Sequence, residues 1–478
     1  MKRILAISLL FLSHISFSQE ATTKVWTLRE LIDQAIANNL TVKRSTYGVE
    51  TSQVNLLQSK MTMLPSLNAN GNYGLNWGRT IDPTTNIFTE NKIENSNLST
   101  SSSLLLWNGF RLFYNLKQSN TDLDAANEDL IKARNDVILN VITLYLNVVF
   151  NKELLAVAQF QVKSTQEQLD RTKKLSDAGS VPIGDVLNLD AQLATNELNV
   201  IQRENALNLS LLQLKQALQL PASNPMDVEI PQINVDNVSI LNKSVEEIFD
   251  IAMTAMPEIK GAELRKLSAD YGFRSSRGNL YPRISVNGSY STVYSDQRQQ
   301  FFADGGAATT TRQIGYVQGS LTPVFTDVTS PTGQFMVPNI MDQYRDNRGR
   351  SLGLSIQIPI FNGLSARSNM QRAAINRELA NITLTETKNT LRQTVETAYN
   401  NAIAAIKTYQ STDKQVKARD EAFRMTQQRY NLGAVNFVDY QVAENNLFQA
   451  QSDLLRAKYD FIFRTKVLDF YQGLPLEF

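Results

Sequence analysis

Residues 66–77 read SLNANGNYGLNW, and apolar and polar positions alternate along this stretch without interruption. Such an alternation predicts a β-strand with two chemically different faces. One face carries Leu, Ala, Gly, Tyr, Leu and Trp, and the other carries Ser, Asn and Gly. Because the polar face has Asn and Ser rather than Lys and Glu, it suits a water-filled lumen better than the exterior of a soluble protein.

Three further stretches have the same character: 283–294 (RISVNGSYSTVY), 351–361, and more weakly 97–107, which has a serine-rich middle. Strands of about 10 residues with one apolar and one polar face are what a transmembrane β-barrel needs. A half-buried sheet of a soluble domain is the ordinary alternative. Aromatic residues at the strand ends resemble the interfacial girdles of barrels: Trp77, Trp107, Tyr294 and Phe361.

Four strands cannot close a barrel, because the smallest barrels have about 8 strands. Open strand edges cannot face lipid, so several chains must share one barrel if these strands span a membrane. The strand pairs are joined by polar segments, 78–96 and 295–350, which we expect to be loops. Pro359 within the last predicted strand is unfavourable, because proline removes a hydrogen bond of the ladder.

The chain contains an internal duplication, which predicts two structural repeats. LRELIDQAIANN from Leu28 aligns with VEEIFDIAMTAM from Val245 at an offset of 217 residues (245 − 28), up to Tyr73 and Tyr290. A second block, from W-N-G at 107–109 and F-N-G at 361–363 to two Leu-Pro pairs, has an offset of 254 (363 − 109). The predicted repeats are residues 19–221 and 245–478, joined by a linker at 222–244 rich in Pro, Asn and Asp.

Each repeat is predicted to contain a long helical hairpin, at 109–219 and 363–472. Neither Pro nor internal Gly interrupts 109–179 or 363–433, and apolar residues spaced four and three apart favour left-handed supercoiling. Gly179 and Gly433 suit the left-handed backbone at a helix end, while Asp185 and Asp439 suit the first turn of the returning helix. By spacing alone, these four residues are explained as turn residues.

Residues 1–18 (MKRILAISLLFLSHISFS) predict a secretory signal peptide, and we expect no membrane-spanning helix after it. The chain has no cysteine, and its single histidine, His14, lies in this peptide. The remaining chain therefore offers no thiolate chemistry, no nucleophile–His pair and no His-containing metal site. Without Lys2 and Arg3, 45 of the 47 basic residues face 46 acidic ones, which gives no indication of a nucleic-acid partner. We predict no enzyme, no cofactor and no metal.

The signal peptide, the duplicated order of helices, strands and hairpin, the W/F-N-G junctions and the turns RYNLG-x5-D and LSDAG-x5-D together resemble the TolC family of outer-membrane efflux proteins. The resemblance extends from about residue 26 to residue 475. It implies an α+β membrane protein of the cell outer membrane. Three chains, each with four strands, would form a 12-stranded barrel, and their coiled-coil hairpins would form a periplasmic α-barrel. The implied function is a passive duct for small molecules, docked to a periplasmic adaptor and an inner-membrane transporter.

The resemblance also implies a role for the turn residues. In the family these turns lie at the periplasmic tip of the tunnel, where acidic residues narrow the entrance and tyrosine and arginine tie helices together. Tyr430, Asp439 and Asp185 match the tyrosine and the acidic positions of that pattern. Three copies of Asp439 on a three-fold axis would form a ring that attracts cations.

The sequence departs from the family pattern at two positions. Val435 stands in place of the arginine, and Val442 stands in place of a second ring carboxylate. Glu444 is close in sequence, but we expect it on another face of the helix. The resemblance therefore implies a gate that is held by fewer ionic contacts.

Two other functions remain open from the sequence. One is the exit channel of a type I peptide or protein secretion system, which would share this architecture. The other is a periplasmic coiled-coil scaffold or adaptor, which would explain the hairpins and leave the alternating strands unexplained. Polar stretches near the turns, 161–174 and 415–429, are either docking surfaces for an adaptor or solvated helix faces.

Overall fold

The computed structural model describes residues 24–81, 84, 86–89, 92–231 and 243–474. The predicted signal peptide with His14, linker residues 232–242 and Pro475 lie outside the described residues. The chain divides into two compact units. The helical unit comprises the described residues within Met1–Ser52, Asp122–Lys266 and Leu379–Phe478, and the sheet unit comprises those within Gln53–Thr121 and Leu267–Glu378.

The described residues form ten strands and nine α-helices. In chain order they are β1 (Lys24–Trp26), α1 (Leu28–Asn38), α2 (Leu40–Met61), β2 (Ser66–Asn76), β3 (Thr80–Ile81), β4 (Phe88–Thr89), β5 (Ile93–Trp107), α3 (Arg111–Asp177), α4 (Ile183–Ala217), β6 (Met226–Val228), α5 (Val245–Ala255), α6 (Pro257–Arg277), β7 (Arg283–Ser295), β8 (Gln300–Tyr316), β9 (Pro323–Met336), α7 (Ile340–Asp346), β10 (Gly349–Gln357), α8 (Ser365–Asn431) and α9 (Phe437–Tyr471).

Four long strands form one antiparallel sheet in the order β10-β7-β5-β2. β5 begins at Ile93, four residues before the predicted start at residue 97 (97 − 93). β10 occupies Gly349–Gln357 instead of the predicted 351–361. Its earlier end follows from Pro359, whose nitrogen has no hydrogen for the ladder. Phe361 therefore lies beyond the strand rather than in it.

The polar segment between β7 and β10, which the sequence suggested to be a loop, is largely folded. β8 and β9 pair as an antiparallel hairpin, in which the Thr311 hydroxyl donates to Asp327 Oδ1 at 2.6 Å. Runs of β-branched residues such as Thr309–Thr311 favour strand structure and account for this difference. The fully buried Gln343 of α7 bonds both the N–H and the C=O of Ser295, which fastens the segment to the end of β7.

Elements of equal length recur at the offsets found in the sequence. α3 and α8 each have 67 residues, and α4 and α9 each have 35. α1 and α5 each have 11 residues, and each begins with a capping box, made by Thr27 with Glu30 and by Ser244 with Glu247. The starts of α1 and α5 are therefore encoded by the same local chemistry.

The core of the helical unit contains the apolar stripe of α3, where Val141, Tyr145 and Val148 are buried. The Tyr145 hydroxyl reaches the carbonyl of Glu229 at 2.8 Å. A second core contains Val395 and Ala402 of α8. These positions belong to the four-and-three spacing of the sequence, and their burial explains its period.

Among the described residues, α3 is the one helix long and apolar enough to cross a membrane by length and composition. The expectation that no later segment reaches this apolarity is therefore wrong. In the 18-residue stretch of α3 that reaches this apolarity, 44% is buried. Val141, Ile142, Val148 and Val149 of α3 lie in the core. Packing inside the helical unit accounts for the apolar composition.

Both long hairpins reverse direction through the same backbone arrangement. Gly179 and Gly433 have φ of +74° and +71°. The N–H of Ser180 bonds to the carbonyl of Leu175 at 2.8 Å, and the N–H of Ala434 bonds to the carbonyl of Arg429 at 2.8 Å. These are Schellman closures, which satisfy carbonyls at a helix end and favour glycine at the left-handed position.

We predict that Gly433→Ala lowers the free energy of unfolding by roughly 1–2 kcal/mol, because an L-residue must then adopt the left-handed conformation. Gly184→Ala is the matched control, since Gly184 lies in α4 without a positive φ and open space surrounds its missing Cβ. That control should be neutral or stabilising by roughly 0.5–1 kcal/mol. Thermal unfolding midpoints in detergent measure both effects, and equal midpoints for the two variants would contradict the assignment.

Candidate functional site

Aromatic rings gather where α8 turns into α9. Tyr430 stacks on Tyr440 with ring centroids 5.0 Å apart, and Tyr440 also contacts Phe423 at 5.5 Å. Phe437 completes the group, 6.2 Å from Tyr430. These rings pack with apolar residues of α3 and α4 to form what we call the tip cluster: Leu169, Val186, Leu189, Leu193, Phe423, Tyr430, Phe437 and Tyr440.

Tyr430 connects the two hairpins through polar contacts as well. Its half-buried hydroxyl forms hydrogen bonds with Thr172 and Gln168 of α3, and Asp185 of α4 lies close by. Burial and, second, the negative charge of Asp185 raise the pKa of Tyr430. The phenol therefore stays protonated at physiological pH and can donate a hydrogen bond. Tyr430 and Asp185, which the sequence placed in different hairpins, are brought together.

Asp439 is the third residue of α9 and is exposed. Its backbone N–H donates to Asn436 Oδ1 at 2.8 Å, which caps the helix. In the described part of the chain its carboxylate makes no ion pair, and the carboxylate beside Tyr430 belongs to Asp185. Val442, about one turn further along α9, is 54% exposed. The exposed side at the start of α9 therefore carries the Asp439 carboxylate next to two apolar side chains, Val438 and Val442.

Glu444 lies on the buried side of α9, away from the exposed Asp439. It is 6% exposed, and the Ser164 hydroxyl of α3 donates to its Oε1 at 3.2 Å. Burial raises the pKa of Glu444 above the ordinary carboxyl range. The sequence contained a signal for this site, because Phe437, Tyr440, Glu444 and Leu447 follow a helical apolar spacing that Glu444 interrupts.

A chain of side-chain amides also crosses between the hairpins. Asn196 Nδ2 donates to Thr165 Oγ1 at 2.9 Å, and Gln192 Nε2 donates to Asn196 Oδ1 at 2.9 Å. Gln441 Nε2 of α9 donates to Gln192 Oε1 at 2.5 Å. Side-chain amides that satisfy one another specify a register between helices. Across the described ranges no group of three or more His, Cys, Asp or Glu side chains forms a metal site.

In the sheet unit, the two faces of the four-stranded sheet differ in polarity. Leu352, Leu354 and Ile356 of β10 are 82%, 63% and 58% exposed, and Leu67 of β2 is 75% exposed. By register these residues share one face with Val286 and Trp107. The opposite face is bonded across strands by polar residues. The Ser103 hydroxyl donates to Asn287 Oδ1 at 2.8 Å, and the hydroxyls of Ser289 and Ser351 are 2.7 Å apart.

The four predicted girdle residues lie in pairs at the two ends of this sheet. Trp77 follows β2 at the end where Asn76 pairs with Ile93, and Tyr294 lies at the same end of β7. Trp107 ends β5 opposite Ile284. Phe361 lies four residues past the end of β10 (361 − 357), at that same end. Trp77 and Phe361 are 73% and 81% exposed, so their large rings are available to surroundings outside the chain.

Comparison with known proteins gives one consistent result. A model of the outer membrane efflux protein family matches residues 31–219 and 250–463. The outer membrane protein TolC of Escherichia coli (strain K12) is 25% identical over 468 residues, which cover 97% of this chain and 84% of TolC. The outer membrane efflux protein BepC of Brucella suis is 20% identical over 465 residues, 96% of this chain and 88% of BepC.

Solved structures with a similar fold include two outer membrane channels. The CmeC channel of Campylobacter jejuni has a TM-score of 0.70 at 16% identity, covering 94% of this chain and 87% of CmeC. The MtrE channel of Neisseria gonorrhoeae, in its open state, has a TM-score of 0.69 at 17% identity, covering 94% of this chain and 89% of MtrE.

We predict that Glu444 makes the stability of the protein fall as the pH rises. The pKa of Glu444 is higher in the folded than in the unfolded protein, so the native state binds more protons than the unfolded state. The stability that Glu444 contributes is therefore present at low pH and is lost as the pH rises through the folded pKa. Glu444→Gln should therefore unfold at a higher temperature than wild type at about pH 8, with a smaller difference at about pH 5.

The exposed Glu197 of α4 provides the control, because Glu197→Gln removes the same charge from the surface of the same unit. Its effect on the unfolding midpoint should change little with pH. A Glu444→Gln effect that is equal at both pH values would contradict the assignment.

Proposed function

Because this chain belongs to the outer membrane efflux protein family, we propose that it is a passive exit duct of a tripartite efflux pump, assembled from three copies of the chain. The proteins it resembles are outer-membrane proteins, efflux proteins and channels rather than enzymes. As a family member, the chain is an outer-membrane protein with its helices in the periplasm. The family and the location predicted from the sequence are thereby confirmed.

The exposed apolar face of the sheet is the observation that carries this proposal. In water, a row of exposed Leu and Ile side chains on one sheet face is unfavourable, and soluble proteins cover it. In lipid, the same row is stable, while the Ser and Asn face lines an aqueous lumen. The exposures of Leu352, Leu354 and Ile356 support lipid as the surrounding phase.

The open edges of the sheet support a shared barrel. β2 and β10 are the two edge strands, so each leaves one side of its backbone unpaired in the sheet. In a barrel built from copies, β10 of one chain pairs with β2 of the next, and three chains supply 12 long strands. Closure removes every edge from the lipid. The homotrimer is the assembly implied by the family resemblance.

We infer that the two halves of the chain arose by internal duplication. The equal helix lengths support this inference, as do the paired left-handed residues Gly109 and Gly363, 254 residues apart. The same family model also matches one stretch in each half. A duplicated chain places six helical hairpins in a trimer, which gives the helical wall an approximate repeat.

The turns between the long helices form the aperture of the proposed duct. Tyr430 joins the two hairpins of one chain through its hydrogen bonds with Thr172 and Gln168, whereas the exposed Asp439 is available to the lumen. Three copies of Asp439 around the axis would attract cations. Since valine occupies positions 435 and 442, the aperture carries fewer ionic groups than the family pattern has.

The partners follow from the family and remain part of the proposal. A periplasmic adaptor would dock near the turns, on polar helix stretches such as 161–174 and 415–429. An inner-membrane transporter would supply the energy, because a duct without catalytic groups has no energy source of its own. The transporter, rather than the duct, would then select the small molecules that are exported.

The test is the mass of the purified protein in detergent together with its conductance in a planar bilayer. We expect a mass of three chains and stable single-channel steps. A protein that is soluble without detergent and gives no conductance would instead identify a periplasmic scaffold and overturn the proposal.

We predict that Asp439→Ala weakens block of the channel by divalent and trivalent cations, because it removes three negative charges from the aperture. Single-channel recordings before and after adding the cation measure the effect. Asp136→Asn is the control, because Asp136 lies in α3, its side chain is 59% exposed, and it pairs with Lys132 of α3. Unchanged block in Asp439→Ala would exclude this role for Asp439.

A further inference from the structure

A cavity of about 510 Å³ lies at the end of the apolar sheet face, where β5 continues into α3. Neither the turns nor the proposed duct accounts for it. Its lining contains five aromatic residues and three arginines with a single acid: Trp107, Phe110, Tyr114, Phe273, Tyr281, Arg274, Arg277, Arg377 and Asp270, with Gly109. All these residues belong to the sheet unit.

The aromatic wall makes this cavity continuous with the apolar face. Trp107 pairs with Ile284 in the sheet, so its ring lies on the same face as Val286 and Leu354. Trp107 meets Phe110 and Tyr281 edge to face, with centroids 6.4 Å and 6.2 Å apart. Tryptophan and tyrosine favour the boundary between hydrocarbon and head groups, because they have an apolar body and a polar tip.

The arginines of the cavity come from two different helices. Arg274 and Arg277 lie in the last turn of α6, and Arg377 lies in α8. The Arg377 guanidinium lies 4.9 Å from the ring centroid of Phe273, and that of Arg274 lies 5.9 Å from the ring of Tyr114. Aromatic faces hold guanidinium groups in place and leave their edges free to donate hydrogen bonds.

Positive charge exceeds negative charge at this site. Arg274 pairs with Asp270 at 2.8 Å, and Arg377 pairs with Glu378 at 2.8 Å. Arg277 forms no ion pair with any residue that the structure describes. Three arginines thus stand against two carboxylates. A guanidinium has five N–H donors, so even the paired arginines keep donors for another anion.

Structural stabilisation alone does not explain this set. Basic residues in the last turn of α6 interact favourably with the negative end of the helix dipole, which accounts for Arg274 and Arg277. It does not account for Arg377 on a second helix, or for the aromatic wall that reaches the apolar face. An anion with an apolar body explains all three features together.

We propose that this cavity binds the phosphate of a glycerophospholipid in the membrane leaflet that faces the periplasm. The inference rests on the proposed placement of the sheet in the membrane. Arginine is suited to phosphate, because its planar fork donates two parallel hydrogen bonds to the oxygens. The acyl chains of the lipid lie along the apolar face, beside Ile284 and Leu104. The bound lipid fixes the depth at which the sheet sits in the membrane.

The experiment is native mass spectrometry of the full-length protein purified in detergent, with three probes added separately. Phosphatidylglycerol has the phosphate and the chains, diacylglycerol of the same chains lacks the phosphate, and inorganic phosphate lacks the chains. We expect retention of one phosphatidylglycerol per chain and no retention of the other two probes. Arg277→Gln should weaken retention about tenfold, because it removes a charge-assisted hydrogen bond.

Arg277→Gln is the variant of choice because it leaves no described carboxylate without its partner. Arg377→Gln tests the second helix and should weaken retention to a similar extent. Arg312→Gln is the control, because Arg312 lies in the exposed hairpin of β8 and β9 and its substitution removes the same charge. It should retain the lipid as wild type does.

Equal retention of diacylglycerol would overturn the phosphate site, and equal binding of inorganic phosphate would overturn the lipid as its ligand. Retention unchanged in both Arg277→Gln and Arg377→Gln would also overturn the proposal. Conductance of the same preparations separates this inference from the duct. Conducting channels that retain no phosphatidylglycerol contradict the lipid site alone. Retention without conductance supports the lipid site and contradicts the duct alone.

Discussion

Unpaired backbone groups on the edge strands of the four-stranded sheet are the constraint on which the remaining architecture depends. β2 and β10 each pair on one side only within the sheet. Hydrocarbon offers no hydrogen-bond partner to the other side, and every unsatisfied group there costs several kcal/mol. The apolar face that these strands expose is nevertheless more favourable in hydrocarbon than in water. Both requirements are met when copies close a common barrel, so under the proposed function assembly is a condition for membrane insertion.

The two ends of the four-stranded sheet are closed by different local structures. At the Trp77 end, Gln343 of α7 binds the backbone of Ser295 and closes the sheet with local hydrogen bonds. At the Trp107 end, the chain passes into helix through two successive left-handed residues, Gly109 and Phe110, with φ of +66° and +62°. Only glycine fits at position 109, because a Cβ there would lie 2.8 Å from the carbonyl of Gly278. Gly109 also lines the proposed lipid site.

The turns of the two helical hairpins have the same backbone conformation but different side chains. Tyr430 occupies the position of Ser176 in the first repeat (430 − 254), and Asn436 occupies the position of Pro182 (436 − 254). The second turn therefore has a side-chain helix cap and supplies the aromatic rings of the tip cluster, whereas the first turn supplies Leu169 and Val186. Because neither set forms a core by itself, the hairpins stabilise each other at this end. The two turns are therefore complementary in the folded protein.

The sequence by itself determined the features that depend on local chemistry. Alternation at 66–77 predicts a strand with two faces, uninterrupted stretches predict the long helices, and the outer-membrane family is recognisable from the turns and junctions. Tertiary structure alone decided which side chains meet. Glu444 interrupts an apolar stripe, but its burial became evident only when Ser164 of another helix lay against it. The arginines of α6 and α8 are about 100 residues apart (377 − 274 = 103) and form one site only in the folded sheet unit. Sequence patterns report the period of a single element, whereas burial and charge at a site are sums over several elements that only folding brings together.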